Sequence, residues 1–239
     1  MKTKNWMNKR WFWIRRHGII KLKLEQFKEY SKKLEDCLKQ ELSKLNSTIA
    51  EEEAEVESQE GKDWLQDTYG DSRWNLSEIF PNILRTSLFT TCYSFFENEL
   101  NLICELLQEK NECPVHYLGN FDNGKEGKGI RRAQRYLKKI IKINFPDQST
   151  AWTEILIYQA IRNIIVHNDG KLDNKENGRF KEIFRRLEDY IKKKPSIHID
   201  DFKRIQLSLD FILEMVTTIE LFLNQLYESI GTYGKYQEI

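Results

Sequence analysis

Apolar residues recur at intervals of three, four and seven along most of this chain, which is the spacing of one face of an α-helix. The first long series is Leu24, Phe27, Leu34, Leu38, Leu42, Leu45 and Ile49. A second, denser series follows Pro81, a residue that suits the first turn of a helix. We therefore predict an all-α fold, a helical bundle of about five helices with a long N-terminal amphipathic helix.

Glycines, prolines and charged runs set the limits of these predicted elements. Residues 61–75 contain two glycines and are predicted to form a loop. Residues 197–199 are predicted to be extended, and Asp200 or Asp201 is predicted to cap the closing helix. We divide the chain into residues 1–20, a basic aromatic N-terminal arm, residues 21–70, a long helical extension, and residues 71–239, the main helical domain.

One predicted helix ends in side chains with catalytic chemistry. Ser149 or Thr150 can cap its N-terminus, and Gly170 suits a left-handed stop. The apolar residues expected to face the core are Ile155, Ile157, Ile161, Ile164 and Ile165. Near the end of this helix, Arg162 is always cationic and forked for binding phosphate, while His167 can donate or accept a proton near neutral pH. Together these two side chains have the chemistry for cutting RNA.

The spacing of Arg162 and His167 does not by itself make a site. Five residues along a straight helix rotate the side chain by about 140°, so these two side chains do not share a face. Their convergence needs fraying of the helix end, the reach of the arginine, or a second copy of the chain. A similar spacing occurs at Arg10 and His17, so a surface pair without catalytic function is the alternative.

The run from Arg162 to Asn168, with Gly170 following, resembles the signature of the HEPN superfamily, the all-helical domains of many prokaryotic toxin and defence ribonucleases. An arginine, a polar residue, an apolar run and a histidine match in that order. The resemblance extends more loosely over residues 76–230, including the stretch Tyr93–Glu97, and it identifies residues 71–239 as a HEPN-like helical domain.

The resemblance implies metal-independent RNA cleavage by a homodimer, with a 2′,3′-cyclic phosphate as product. Arg162 and His167 are the implied catalytic residues, and Asn163 is expected to orient the phosphate or support the histidine. Asn168 is a candidate for a further supporting role. A carboxylate on the preceding long helix, Glu97 or its neighbour Glu99, is a candidate to orient the histidine or hold the arginine.

The same resemblance leaves an alternative function open. The expected setting is a toxin–antitoxin or phage-defence system, in which an antitoxin or another defence-system protein is a further partner. Some members of the superfamily have lost activity, so the alternative is a catalytically inactive module that binds RNA or protein, as an antitoxin or a scaffold.

Composition limits the other classes of function. Charged residues make up 31% and apolar residues 40% of the 239 residues, which is typical of a helix-rich globular protein. No uncharged run is long enough for a membrane span. The cysteines are Cys37, Cys92, Cys104 and Cys113. They lack the spacing of a metal site and are predicted to be buried in a reduced, cytoplasmic protein, and we expect neither a metal nor a cofactor.

Two local clusters of basic residues are candidates for contact with RNA, although the net charge of the whole chain is only +1. Residues 1–24 combine lysines, arginines and tryptophans without any acidic residue, so they can contact RNA or lie on a membrane surface. A flexible tail or a translated upstream leader is the alternative for this segment. A basic helix precedes the motif helix. Its predicted RNA-binding residues are Arg131, Arg132, Arg135, Lys138 and Lys139. A solvated charged face is the alternative for this helix.

Overall fold

The computed structural model describes the backbone of residues 3–111, 113–118, 129–172 and 178–233, and their side chains except at 3–10, 178–184 and 232–233. The helices are α1 (Thr3–Glu55), α2 (Gln59–Trp74), α3 (Phe80–Lys110), α4 (Ile130–Lys139), α5 (Thr150–Asn168), α6 (Gly178–Lys193) and α7 (Leu209–Tyr233). A π-helical turn, Asn75–Ile79, joins α2 to α3, and the strands are β1 (Ile197–Ile199) and β2 (Ile205–Leu207). The predicted all-α class is confirmed, with more helices in the described ranges than the five or so predicted.

The predicted long N-terminal helix is confirmed as α1, and it begins earlier than the apolar series from Leu24 indicates. Trp13, Ile20 and Leu24 are all buried, and their spacings of seven and four continue that series towards the N-terminus. The helix also runs without interruption through residues 20 and 21. The limit between arm and extension is therefore not the end of an element, and the division of the chain into 1–20, 21–70 and 71–239 stays a prediction.

The prediction of a loop at residues 61–75 is wrong, because most of this segment forms α2. Ser58 caps the helix, since its Oγ accepts a hydrogen bond from the backbone N–H of Gly61 at 3.2 Å. Leu65 is buried. The cap contributes about 1 kcal/mol and the buried leucine about 2 kcal/mol, which offsets a cost of roughly 1 kcal/mol for each glycine at positions 61 and 70.

Residues 197–199 are extended, as predicted, but the prediction that places β2 within the closing helix is wrong. The two strands pair antiparallel, with Ile197 opposite Leu207. Asp200 closes the turn between them, because its Oδ1 accepts hydrogen bonds from the backbone N–H groups of Phe202 and Arg204 at 2.9 and 2.8 Å. The aspartate therefore stabilises a hairpin turn, a role that competes with helix capping for the same side-chain oxygen.

The closing helix, α7, begins later than predicted, at Leu209 instead of after Asp200 or Asp201. Its cap is Ser208, whose Oγ accepts a hydrogen bond from the N–H of Phe211 at 3.2 Å. Serine and aspartate are both good caps, so sequence alone did not separate the two starting points.

The chain groups into two compact units, each built from separate stretches of sequence. The first unit takes the described parts of residues 1–26, 90–163 and 214–239, and the second takes those of residues 27–89 and 164–213. In the first unit, Phe222 of α7 packs edge-on against Phe96 of α3 with ring centroids 5.7 Å apart and stacks on Trp152 of α5 at 5.1 Å. All three rings are buried. This aromatic core fixes α5, the helix that carries the motif.

The start of α1 is bound into the first unit by a buried polar network. Nε and Nη2 of Arg16 donate to the two carboxylate oxygens of Glu99 at 2.9 and 2.7 Å, and the Tyr227 hydroxyl donates to Oε1 at 2.8 Å. His17 stacks on Tyr227 with ring centroids 4.7 Å apart, and its Nε2 lies 2.7 Å from Oδ1 of Asn224. Burial is the main cause that lowers the pKa of His17, so the neutral imidazole is favoured. Residues 13–24 are therefore a packed part of the fold.

The second unit has its own buried ion pair between α1 and α3. Arg85 donates to both carboxylate oxygens of Glu35, through Nε at 3.1 Å and through Nη2. Nearby in the same unit, Phe89 packs against Phe211 with ring centroids 5.8 Å apart. In this pair the carboxylate belongs to α1 and the guanidinium to α3. In the pair of the first unit, the guanidinium of Arg16 belongs to α1 and the carboxylate of Glu99 belongs to α3. A buried bidentate pair leaves few acceptable alternatives for how two helices align.

The cysteines follow the predicted burial in part. Cys92 and Cys104 are buried, and burial raises the pKa of the Cys92 thiol to about 12. Cys113 is half-buried. Cys37 is exposed, so the prediction is wrong at this position, because Cys37 lies on a different side of α1 from the buried Glu35.

Candidate functional site

The helix that carries the motif, α5, has the predicted cap and the predicted stop. Ser149 Oγ accepts a hydrogen bond from the N–H of Trp152 at 3.1 Å, which satisfies one of the free donors of the first turn. After the helix, Asp169 and Gly170 are both left-handed, with φ of 51° and 73°. The N–H of Gly170 then donates to the carbonyl of Ile164 at 3.2 Å. The two ends are therefore fixed by local hydrogen bonds.

Arg162 is half-buried near the end of α5, and the neighbouring amide holds its guanidinium. Nη1 donates to Oδ1 of Asn163 at 3.2 Å, and Asn163 itself is exposed. Nε of Arg162 is buried and makes no hydrogen bond within the described part of the chain. Because a guanidinium carries five N–H donors in a rigid fork, this arrangement supports the arginine from one side and leaves donors that can bind an anion.

Tyr93 of α3 lies in the same neighbourhood as Arg162. The tyrosine is 2% exposed, and its hydroxyl has no hydrogen-bond partner among the described residues. Burial, the largest cause, and the charge of Glu97 raise the pKa of Tyr93 well above its usual value, while Arg162 and Arg131 act in the opposite direction. The helices α3, α4 and α5 thus bring together what we call the Tyr93 cluster: Tyr93, Glu97, Arg131 and Arg162.

Gly129 lets Glu97 approach the start of α4. Its φ of 57° is left-handed, and a Cβ at this position would lie 2.4 Å from Oε1 of Glu97 and 3.7 Å from Nε2 of Gln159. Any other residue at this position would displace the carboxylate. Two roles are predicted for Glu97. Its place in the Tyr93 cluster agrees with the first role, which is to hold Arg162. The second role, which is to orient His167, stays a prediction.

Glu99, the other candidate carboxylate, is not available to Arg162 or His167. It is 5% exposed, and both of its oxygens accept hydrogen bonds from Arg16, as described above. The prediction that it orients a catalytic residue is therefore wrong. Positions 97 and 99 point to different sides of α3, because two residues rotate the side chain by about 200°.

His167 and Asn168 are both exposed in the last turn of α5. Because the helix is continuous from Arg162 to His167, the rotation of about 140° expected for five residues applies. Fraying of the helix end therefore does not bring the two side chains onto one face of α5. Of the three routes to convergence that the sequence leaves open, the reach of the arginine and a second copy of the chain remain.

The other histidines differ from His167 in their surroundings. His17 is occupied by the stacking and hydrogen-bond contacts described above, and the side chain of Arg10, its counterpart in spacing, lies outside the described residues. Nδ1 of His116 lies 2.8 Å from Nε2 of Gln108. His198 is exposed on β1. In the competing pair of Arg10 and His17, the histidine therefore has a structural role.

The basic helix α4 presents some of its predicted RNA-binding residues to solvent. The exposed residues are Arg131, Arg135, Lys138 and Lys139, and the half-buried one is Arg132. The guanidinium of Arg132 lies 4.7 Å from the centroid of the Tyr117 ring, and Lys138 forms an ion pair with Asp147. Arg131 also has a partner on the same helix, because its Nη1 donates to Oε1 of Gln134 at 3.4 Å. The role of all five cations in binding RNA stays a prediction.

Sequence reasoning missed Tyr93 and Gly129 as parts of the site. Tyr93 fits the apolar series of α3 and is buried, so its spacing indicates only a core residue. Gly129 is one of several glycines in the segment 111–130, and nothing in the sequence distinguishes it from the others. The available signal was the position of Tyr93 one helical turn before Glu97, since such pairs are neighbours on a helix.

A comparison of the chain with protein-family models, curated proteins and solved structures finds no match. The resemblance to HEPN ribonucleases therefore rests on the residues of the motif. Among the described residues, no three His, Cys, Asp or Glu side chains are grouped so as to hold a metal ion. The described helices also include none that is long and apolar enough to cross a membrane.

Proposed function

We propose that this chain is a metal-independent endoribonuclease of the HEPN type that works as a homodimer. The observation that carries the proposal is the arrangement of Arg162, Asn163 and His167 on one capped helix, with the arginine supported from one side and the histidine exposed. An exposed imidazole can reach RNA, and a supported guanidinium suits a phosphate. The setting that the resemblance favours is a cytoplasmic toxin–antitoxin or phage-defence system.

In the proposed reaction, His167 removes the proton from a ribose 2′-hydroxyl, and the 2′-oxygen attacks the adjacent phosphorus. The bond from phosphorus to the 5′-oxygen breaks, and this oxygen takes a proton from His167 of the second copy, which enters the reaction as the imidazolium. Exchange of one proton with solvent at each histidine restores the starting state. The products are a 2′,3′-cyclic phosphate and a 5′-hydroxyl. Arg162 stabilises the added negative charge on the pentacoordinate phosphate, and Asn163 keeps the guanidinium oriented through its bond to Nη1.

The Tyr93 cluster supports the same function through positive charge. Arg131 of α4 and Arg162 of α5 both act on the buried Tyr93, so two guanidinium groups share one neighbourhood. Arg135 and Lys139 are exposed further along α4. In the proposal these cations form one wall of an RNA groove, and each contact to a phosphate adds to the salt dependence of binding.

The separation of Arg162 and His167 around α5 favours a dimer as the working unit. One helix directs the two side chains about 140° apart, whereas a two-fold axis near the helix end brings two arginines and two histidines around one groove. Val166, next to the histidine, is an apolar residue with 49% of its surface exposed. In the proposed dimer this side chain contacts the second copy.

A charge at Val166 is therefore expected to abolish RNA cleavage without unfolding the chain. Val166→Asp introduces two like charges across the two-fold axis, so the dimer dissociates in sedimentation experiments while helix content, measured by circular dichroism, is retained. Diluting the unmodified chain should likewise lower its specific activity. Leu221→Asp is the matched control, because Leu221 is an exposed aliphatic residue elsewhere, on α7. A chain that is monomeric at the assay concentration and yet fully active would contradict this prediction.

The experiment that tests the proposed function is an analysis of the reaction products. The chain is incubated with structured RNAs in excess EDTA, and the new ends are identified by mass spectrometry. We expect 2′,3′-cyclic phosphate and 5′-hydroxyl ends. Cleavage that requires an added metal ion would reject the mechanism. Tight RNA binding without any cleavage would assign the chain to the alternative, an inactive binding module.

A further inference from the structure

The start of α1 has two apolar sides, and the core of the first unit uses one of them. Trp13 and Ile20 point inward and are buried. Trp11, Ile14 and Leu22 lie on the other side of the helix and are 51–67% exposed. On an ideal helix the directions of Trp11 and Leu22 differ by about 20°, so these three side chains form one stripe over about three turns. We call Trp11, Ile14 and Leu22 the outer face.

Cations lie beside the outer face, and acidic residues are missing from this part of the sequence. Arg15, Lys21 and Lys23 are all exposed on the same three turns. Residues 1–24 contain no aspartate or glutamate. A helix with an exposed apolar stripe, a tryptophan and adjacent lysines or arginines has the properties of helices that lie in the interface of a membrane.

We propose that the outer face of α1 docks on the surface of an anionic phospholipid bilayer. The three apolar side chains enter the boundary between headgroups and acyl chains, and the neighbouring cations contact the phosphates. This is peripheral attachment by one side of a helix whose other side stays in the protein core. It is independent of the proposed ribonuclease chemistry, because none of the residues of the motif takes part.

Charge and chemistry favour lipid over the other occupants of such a face. Trp11 is the one aromatic residue of the outer face, because Ile14 and Leu22 are aliphatic, whereas RNA-binding grooves stack successive bases on several aromatic side chains. A second copy related by a two-fold axis would bring Arg15, Lys21 and Lys23 against the same cations, which repel one another. An anionic bilayer satisfies both the apolar and the basic side chains.

A groove of about 560 Å³ beside the outer face gives a headgroup a place to bind. Arg15 and Lys23 line it from α1, and Phe95 and Asn98 line it from α3. Nζ of Lys23 lies 5.9 Å from the centroid of the Phe95 ring. Arg16 and Glu99, which are bonded to each other, also line the groove. Three cations, one carboxylate and a polar amide thus lie beside an apolar wall, and the net positive charge suits the phosphate of a lipid.

The test is flotation of the full chain with vesicles of phosphatidylcholine alone and with vesicles that also contain phosphatidylserine. We expect binding to the anionic vesicles and weaker binding at high salt. The triple variant Trp11→Gln, Ile14→Gln, Leu22→Gln should lower the partition coefficient by at least about tenfold. Arg15→Gln, Lys21→Gln and Lys23→Gln should each lower it by about fivefold.

The matched control removes one tryptophan, one isoleucine and one leucine of similar exposure elsewhere. Trp74, Ile83 and Leu221 are 54–58% exposed, and their replacement by glutamine should leave vesicle binding unchanged. Equal loss in the control and outer-face variants would overturn the proposal. So would an outer-face variant that changes only self-association in sedimentation, or only the binding of a fluorescent single-stranded RNA.

Discussion

Replacing His167 with alanine is expected to reduce RNA cleavage by about 10² to 10⁴, while helix content and melting temperature stay unchanged. The loss follows from the proposed roles of the two imidazoles of the dimer, one of which takes the proton of the 2′-hydroxyl while the other gives a proton to the leaving 5′-oxygen. The fold should tolerate the change because the side chain is exposed at the end of α5. Initial rates of cleavage in EDTA measure the first effect, and circular dichroism with thermal melting measures the second.

The controls for this prediction separate chemistry from charge and packing. His198→Ala removes an exposed histidine on β1 and should leave the cleavage rate unchanged. Arg162→Lys keeps the positive charge but loses the planar fork, so it should also reduce cleavage strongly. Alanine is less informative at this position, because Arg162 is half-buried and its methylene groups contribute to packing. If the His167→Ala and Arg162→Lys chains both cleave RNA like the unmodified chain, the catalytic proposal is wrong.

Replacing Glu99 with alanine is expected to destabilise the protein by about 3 kcal/mol, the lower end of the cost of breaking a buried ion pair. The change leaves the guanidinium of Arg16 without its carboxylate and the Tyr227 hydroxyl without its acceptor. Arg16 keeps 21% of its side-chain surface in contact with solvent, which limits the cost. Denaturant unfolding measures the free energy, and the melting temperature should fall by roughly 6–12 °C.

The control for Glu99 is an ion pair of similar length on the surface. Glu41 accepts from Lys44 at 2.7 Å, but both side chains are largely exposed. Glu41→Ala should therefore change the free energy of unfolding by less than about 0.5 kcal/mol. Glu99→Gln should lie between the two alanine variants, since an amide oxygen still accepts one hydrogen bond. A Glu99→Ala chain as stable as the Glu41→Ala chain would show that the buried network contributes no net stability.

Much of the helical structure could be predicted from the sequence because its causes are local. The long series of apolar residues on α1 and α3 follows the helical repeat, and α5 has a serine cap and a glycine stop. Where local causes compete, prediction failed. The Asp200 carboxylate accepts hydrogen bonds within a hairpin turn instead of capping α7, and residues 61–75 are helical despite two glycines. In both places a serine caps the helix that forms, Ser58 at α2 and Ser208 at α7.

For the candidate site, too, the local part could be predicted from the sequence and the contacts between helices could not. Arg162, Asn163 and His167 are close in sequence, so their order on one helix could be read from spacing alone. The surroundings of Arg162 could not, because Tyr93, on which the charges of Arg162 and Arg131 both act, belongs to another helix and is distant in sequence. The spacing also did not show whether Glu97 or Glu99 lies near the motif. In the structure, Glu99 is bonded to Arg16.

The sequence by itself determined the long helices α1, α3 and α5, the serine cap of α5 and the order of the reactive side chains, since those depend on residues within a few positions of one another. Only the tertiary structure decided which distant side chains meet. Arg16 lies 83 positions from Glu99, and Tyr227 lies 128 positions from it, yet both donate to the same carboxylate. It also decided that α1 buries Trp13 and leaves Trp11 exposed. Both outcomes depend on how helices pack, and packing is set by shape and burial across the whole unit, which local periodicity does not specify.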